Sequence, residues 1–273
     1  MYKAVFLDMD GTLLRSDHSV SEATQRTIRM LTRRGTPVIL VSARPVDAVL
    51  PTSREIGIPA EYPIISLNGS YVVEKDQPIF QAEIDPGTVV DVAAHVRPFQ
   101  ATIAYYVQRE WYAEVDDAWT EHEQKIMDIK LKVMTLGQME EEWKARNISP
   151  NKMMVMSEPP AILEIQQHLR SIYDGRLNIY PSKATYLEVM DKAGSKSHAV
   201  KFVSERMGLA AKEIVAMGDN YNDIGMIRFA GMGVAMGNAP DDIKKNAKYV
   251  TDTNNDDGVR KALEKFFELE PAR

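Results

Sequence analysis

The chain opens on a short apolar run, Lys3 to Leu7, that stops at an acid, Asp8. Ser19-Val20-Ser21-Glu22 then forms a capping-box pattern ahead of a helix whose Ile28 and Leu31 share one face, and Gly35 stops it. Val38 to Val41 is apolar without a break, as in a strand covered on both faces, and ends at Ser42. A second helical spacing, Val46, Val49, Leu50 and Ile56, closes at Gly57, and Ile64 to Leu67 is a third buried strand ending at Asn68-Gly69. This β-α-β-α-β alternation predicts an α/β fold with a doubly wound, Rossmann-like parallel sheet.

From about residue 71 the rhythm changes. Thr102 to Val107 and Trp111 to Val115 read as a hairpin, with further extended runs at Lys152 to Met156 and Tyr186 to Met190 and a helical stretch from Ile162 to Ile172 between them. After Ser197 the alternation resumes: a helix through Val200, Val203 and Met207, strands at Ile214 to Met217 and Gly233 to Met236, and a last helix through Val259, Leu263 and Phe266. The expected organisation is a discontinuous core, residues 1–83 and 187–273, interrupted by an α+β domain over 84–186.

Composition narrows the function classes. Of 273 residues 44% are apolar and 26% charged, which predicts an ordinary folded protein. The chain has no cysteine, so disulfide scaffolds, thiolate metal sites and cysteine nucleophiles drop out and a reducing, cytoplasmic compartment is expected. No apolar run approaches membrane length. With 33 basic against 39 acidic residues, a net charge of -6 and no basic run, nucleic acid is not expected as a partner. The expected assembly is a monomer or weak homodimer.

Three predicted strands end in chemically useful residues: Asp8, followed by Asp10; Ser42; and Gly218-Asp219, followed by Asn222 and Asp223. Ligands of open α/β sheets bind at carboxyl strand ends. Asp8-Met9-Asp10-Gly11-Thr12 reads as more than an acidic turn because a second acidic strand end accompanies it. A helix starting after Gly218 lets Asp219 and Asp223, four apart, face the same crevice. Carboxylates from separate strands with no histidine or thiol beside them suit Mg²⁺. A phosphate dianion entering such a site meets about 4 kcal/mol of repulsion per charge pair at contact, which the cation offsets. Ser42, the backbone N–H of Ala43 and a lysine complete a phosphate cradle, with Lys196, at the start of a helix, preferred over Lys192.

The set Asp8-Met9-Asp10-Gly11-Thr12-Leu13-Leu14, Val41-Ser42-Ala43-Arg44-Pro45, Lys196 and Gly218-Asp219-Asn220-Tyr221-Asn222-Asp223 resembles the four motifs of the haloacid dehalogenase superfamily, most nearly its Cof-type sugar-phosphate phosphatases with a large α/β cap. The resemblance spans nearly the whole chain, including Ser66-Leu67-Asn68-Gly69 and Asp257-Gly258-Val259. It departs from the common pattern at Ser42-Ala43-Arg44, where Thr-Gly-Arg is usual, and at Lys196-Ser197, where Lys-Gly is usual; the needed hydroxyl, N–H and ammonium remain. The resemblance implies that Asp8 attacks phosphorus to form an aspartyl-phosphate and that Asp10 is the general acid and base. It further implies that Mg²⁺ is held by the Asp8 carboxylate, the Asp10 carbonyl and Asp219, with Asp223 close by. Ser42, Lys196, Asn222 and the Met9 N–H would hold phosphate oxygens, and Arg44 either meets substrate or pairs with an acid.

The expected activity is therefore a Mg²⁺-dependent phosphomonoesterase acting on a small phosphorylated metabolite, a sugar phosphate or a cofactor-pathway phosphate. The alternatives are a phosphomutase with the same Asp8 chemistry, a receiver-like signalling module, and a phosphometabolite-binding regulator without turnover. Tyr105, Tyr106, Trp111, Tyr112 and Trp119 either line the cap's inner face or pack its sheet against its helices. His18, His95, His122, His168 and His198 show no metal-ligand spacing and read as ordinary surface or packing residues.

Overall fold

The computed structural model describes residues 2–127 and 129–269. The chain begins with β1 (Ala4–Asp8), α1 (Glu22–Arg33), β2 (Val38–Val41), α2 (Val46–Glu55), β3 (Ile64–Ser66), β4 (Tyr71–Glu74) and β5 (Gln77–Gln81). There follow α3 (Pro86–Val96), β6 (Thr102–Val107), β7 (Glu110–Ala113), α4 (Ala118–Met127), β8 (Leu131–Val133), α5 (Leu136–Arg146), β9 (Lys152–Met156), α6 (Pro159–Tyr173), β10 (Leu177–Lys183) and β11 (Tyr186–Asp191). The last part holds α7 (Lys196–Arg206), β12 (Ile214–Gly218), α8 (Ile224–Phe229), β13 (Met232–Ala235), α9 (Asp241–Lys244), β14 (Tyr249–Val250) and α10 (Gly258–Phe266). No helix among the described residues is long and apolar enough to cross a membrane.

Two compact units result, one of Met1–Ile79 with Ser195–Arg273 and one of Phe80–Gly194. The sheet of the first unit runs β14-β13-β12-β1-β2-β3-β4-β5. It is parallel from β14 to β3 and turns antiparallel at β4. Its inner strands β1, β2 and β12 are buried at every position, which explains their unbroken apolar sequences. Register places the chemistry. Leu7 is level with Leu40 and with Met217, so the residues that leave these strands, Asp8, Ser42 and Asp219, leave the sheet side by side.

The second unit has a sheet ordered β10-β11-β9-β6-β7-β8, antiparallel except for β7 beside β8. Helices α3, α5 and α6 pack on one face, where Tyr105 and Tyr112 join Trp143, Leu169 and Tyr173 in one buried cluster. Tyr106 and Trp111 alternate to the other face and are equally buried. These four aromatics are packing residues, and Trp119 lays its ring against Tyr186.

The limits of this unit differ from the expected 84–186. β11 pairs with β9 and β10, so it belongs to the second sheet, and the chain returns to the first unit only at Ser195. An apolar strand reads alike in either sheet, and only its hydrogen-bonded neighbours assign it.

Candidate active site

The loop leaving β1 is held open by backbone geometry. Thr12 and Leu14 donate their amides to the Met9 carbonyl at 3.2 and 2.8 Å, folding the chain back on Asp8. Gly11 sits at φ +81°, and a Cβ there would stand 2.3 Å from Asp219 Oδ2, so any side chain would intrude on that carboxylate. Thr12 Oγ1 donates to Asp219 Oδ1 at 2.8 Å, tying this loop to the end of β12. Asn238 Nδ2 donates to the Gly11 carbonyl from the loop after β13.

Asp8, Asp219 and Asp223 each bring a carboxylate oxygen within 4.8 Å of the others. Lys196, the first residue of α7, is 2% exposed and reaches into this group. Its ammonium donates to Asp8 Oδ1 at 2.5 Å and to Asp223 Oδ1 at 2.7 Å. Ser195 caps α7 by accepting the His198 amide, which fixes where the lysine begins. Gly69, at φ +88°, lets the turn after β3 lie against the Ser195 backbone; a Cβ there would meet the Ser195 carbonyl at 2.3 Å. Lys192 lies exposed in the other unit.

Three carboxylates face one ammonium, a local charge of about -2 if all are ionised. Burial, with Asp223 next, pushes the Asp8 carboxyl well above the usual carboxylate range, although Lys196 pulls the other way. Burial and Asp223 likewise push Asp219 up to about 6 against the Thr12 hydrogen bond. Burial alone would depress the Lys196 ammonium, but Asp223 and Asp8 outweigh it and raise it. A buried, all-oxygen, net-negative group of this kind fits a hard divalent cation. Asp223 has a further duty: its Oδ2 accepts the Asp219 and Asn220 amides at 3.0 Å each, so it holds the β12 loop as well as Lys196.

The remaining candidates lie around this group. The Asp10 carboxylate is 48% exposed and is gripped by Arg44, Nε to Oδ2 at 2.8 Å and Nη2 to Oδ1 at 2.5 Å. Of the two expectations for Arg44, the structure has the acid pair, and the acid is Asp10. Ser42 is buried, and its Oγ accepts the Arg44 amide at 3.1 Å. Met9 is buried and Ala43 half-buried. Asn222 donates Nδ2 to Asn68 Oδ1 at 2.8 Å, while its own Oδ1 is buried without a hydrogen-bond partner.

Asn68 and Thr12 stand within the sequence motifs, but only the structure gives their partners, Asn222 and Asp219. Asn68 sits in the left-handed region at φ 57° and donates its amide to the Ser42 carbonyl at 2.9 Å. The Asn-Gly pair at the end of β3 was visible as a turn signal. Nothing in it pointed to a contact with Asn222, which comes 154 positions later.

Comparison with known proteins accords with this geometry. Residues 5–263 match the model of the haloacid dehalogenase-like hydrolase family. A Haemophilus influenzae protein provisionally named a phosphatase is 34% identical over 270 residues, covering 98% of this chain and 99% of its own. A 5-amino-6-(5-phospho-D-ribitylamino)uracil phosphatase of Bacillus subtilis is 30% identical, covering 96% of this chain and 94% of its own. The crystal structure of a haloacid dehalogenase-like hydrolase from Bacteroides thetaiotaomicron superposes with a TM-score of 0.86 at 27% identity, covering 98% of this chain and all of that one. The strand-end acids, the buried lysine and full-length similarity to phosphatases lead to one assignment: this chain belongs to the haloacid dehalogenase-like hydrolases and is an enzyme of their phosphatase class.

Proposed function

We propose that the protein hydrolyses a small phosphate monoester with Mg²⁺ as cofactor, by way of an aspartyl-phosphate on Asp8. The observation that carries this reading is the buried Asp8 carboxylate at the end of β1, held by Lys196 through Oδ1. In the first step an Asp8 carboxylate oxygen attacks phosphorus while the ester P–O bond breaks, and Asp10 gives its proton to the departing oxygen. In the second, Asp10 takes a proton from water as water attacks the phosphoryl group, the bond to Asp8 breaks, and inorganic phosphate leaves.

The residues that would hold Mg²⁺ are Asp8 and Asp219 through carboxylates and Asp10 through its carbonyl, with Asp223 supporting. When bound, the cation would cancel the excess negative charge and draw electron density from the phosphoryl oxygens. Lys196 orients Asp8 and, with Ser42, Asn222 and the Met9 and Ala43 amides, is assigned to the transferring oxygens. An acid gripped by a guanidinium on both oxygens is poorly placed to donate a proton. Arg44 therefore exchanges Asp10 for the incoming anionic substrate and frees the acid at the moment of use.

The substrate class is a phosphorylated sugar or sugar-derived cofactor intermediate, supported by the phosphoribitylamino-uracil activity named for the Bacillus subtilis relative. The inserted unit, residues 80–194, is assigned to substrate selection. The test is phosphate release, with Mg²⁺ and after chelation, from sugar phosphates, nucleotides, pyridoxal phosphate and a phosphoribitylamino-uracil, with Asp8→Asn as control. Metal-dependent release that the variant lacks is expected. Release that survives chelation or the substitution overturns the reading, and no release from any compound moves the assignment to a mutase, tested next with a sugar bisphosphate.

A further inference from the structure

The inserted unit holds a side-chain cluster for which phosphate chemistry has no use. His95 on α3 and His168 on α6 are 73 positions apart, yet the two helices pack together and bring His95 Nδ1 to 3.1 Å from His168 Nε2. Their ring centroids are 5.0 Å apart with the planes inclined at 66°. One turn before His95, Asp91 places Oδ1 3.9 Å from the other ring nitrogen, Nε2. The second oxygen of Asp91 accepts a 2.5 Å hydrogen bond from the hydroxyl of the buried Tyr173. A tyrosine thus anchors a carboxylate, the carboxylate flanks one nitrogen of an imidazole, and the opposite nitrogen of that ring is turned toward a second imidazole.

Metal-ligating histidines commonly have a carboxylate on the side of the distal nitrogen; Asp91 lies on that side of His95, at 3.9 Å and so in ion-pair rather than hydrogen-bond contact. Zinc binds imidazole nitrogen at about 2.0–2.1 Å, so two nitrogens 3.1 Å apart subtend roughly 98° at a shared ion. That angle is near the tetrahedral one, and the ion would replace the direct contact between the two rings, each turning to point its lone pair off the line that joins the nitrogens. His168 is exposed and His95 partly so, which gives an ion a way in and leaves its remaining positions to water. Nitrogen donors select borderline ions such as Zn²⁺ over Mg²⁺, so this pair and the all-oxygen group around Asp8 differ in the ion they prefer.

We propose that His95 and His168 form a two-imidazole site for Zn²⁺ that clips α3 to α6, with Asp91 as its positioning residue. The test titrates Zn²⁺ calorimetrically into untagged, full-length protein in an excess of Mg²⁺, and records the electron paramagnetic resonance spectrum with Cu²⁺ as a probe. Wild type is expected to bind one Zn²⁺ at this site, to melt at higher temperature with Zn²⁺ present, and to show coupling of Cu²⁺ to two nitrogens. His168→Gln, an exposed substitution, should lose that nitrogen pattern and the melting shift. Asp91→Asn should weaken Zn²⁺ binding roughly tenfold to a hundredfold while keeping both nitrogens. Zn²⁺ binding equal in wild type and His168→Gln overturns the proposal, as does a Cu²⁺ spectrum without nitrogen coupling. So does binding that Asp8→Asn abolishes and His168→Gln leaves intact.

Discussion

At the scale of single residues, stability and chemistry make opposite demands on the same few atoms. Asp8, Asp219 and Asp223 repel one another in a buried place, and Lys196 is the ammonium that holds two of them. Asp8→Asn should lower turnover by about ten-thousandfold. It should not lower the melting temperature measured without metal, because a desolvated charge is deleted while Lys196 keeps Asp223. Substantial phosphate release by the folded variant would sink the nucleophile assignment. Lys196→Met should cost about 3–5 kcal/mol in denaturant unfolding as well as activity, since it strands buried carboxylates without a counter-charge. Unchanged stability would show that the carboxylates are protonated or hydrated instead. Asp10→Asn should lose more rate with poor leaving groups than with nitrophenyl phosphate, and equal losses would remove its role as acid.

Between elements, one acid does unusual work. Asp257, directly before α10, accepts Ser21 Oγ at 2.6 Å from the cap of α1 and Arg15 Nη2 at 2.9 Å from the loop that follows β1. Burial works against its charged form, but the Ser21 and Arg15 hydrogen bonds outweigh it and hold the carboxyl below the usual range. A folded-state value below the unfolded one means that this stabilisation is complete above the ordinary aspartate range near 4 and is lost as pH falls through the lower folded value. Asp257→Asn should therefore cost about 1–2 kcal/mol at neutral pH. The gap from wild type should close as the pH is taken below 4, and a gap of constant size would refute the linkage. The Asp257-Gly258 pair reads in the sequence as a helix opening, but Ser21 and Arg15 lie more than 200 positions away.

For the molecule as a whole, the insertion is continuous in sequence and has its own sheet, helices and buried cluster. Residues 80–194 expressed alone should show a cooperative thermal transition with near-ultraviolet circular dichroism from packed aromatics such as Trp143 and Tyr105. A fragment without such a transition would mean that the second core is completed by the first unit. The first unit is assembled from both ends of the chain, and its central strand β1 pairs with β2 on one side and with β12, some two hundred residues later, on the other.

The alternating α/β core, the strand-end acids and the motif set are legible in the order of residues because they are local: unbroken apolar runs mark strands covered on both faces, and spacing within a loop fixes which side chains leave a strand together. What meets across distance is set by packing. The folded chain joins Arg44 to Asp10, Asn68 to Asn222 and His95 to His168, and it places β11 in the second sheet. Such pairings follow from helix packing and strand neighbours, which bring together residues whose separation along the chain carries no periodic signal.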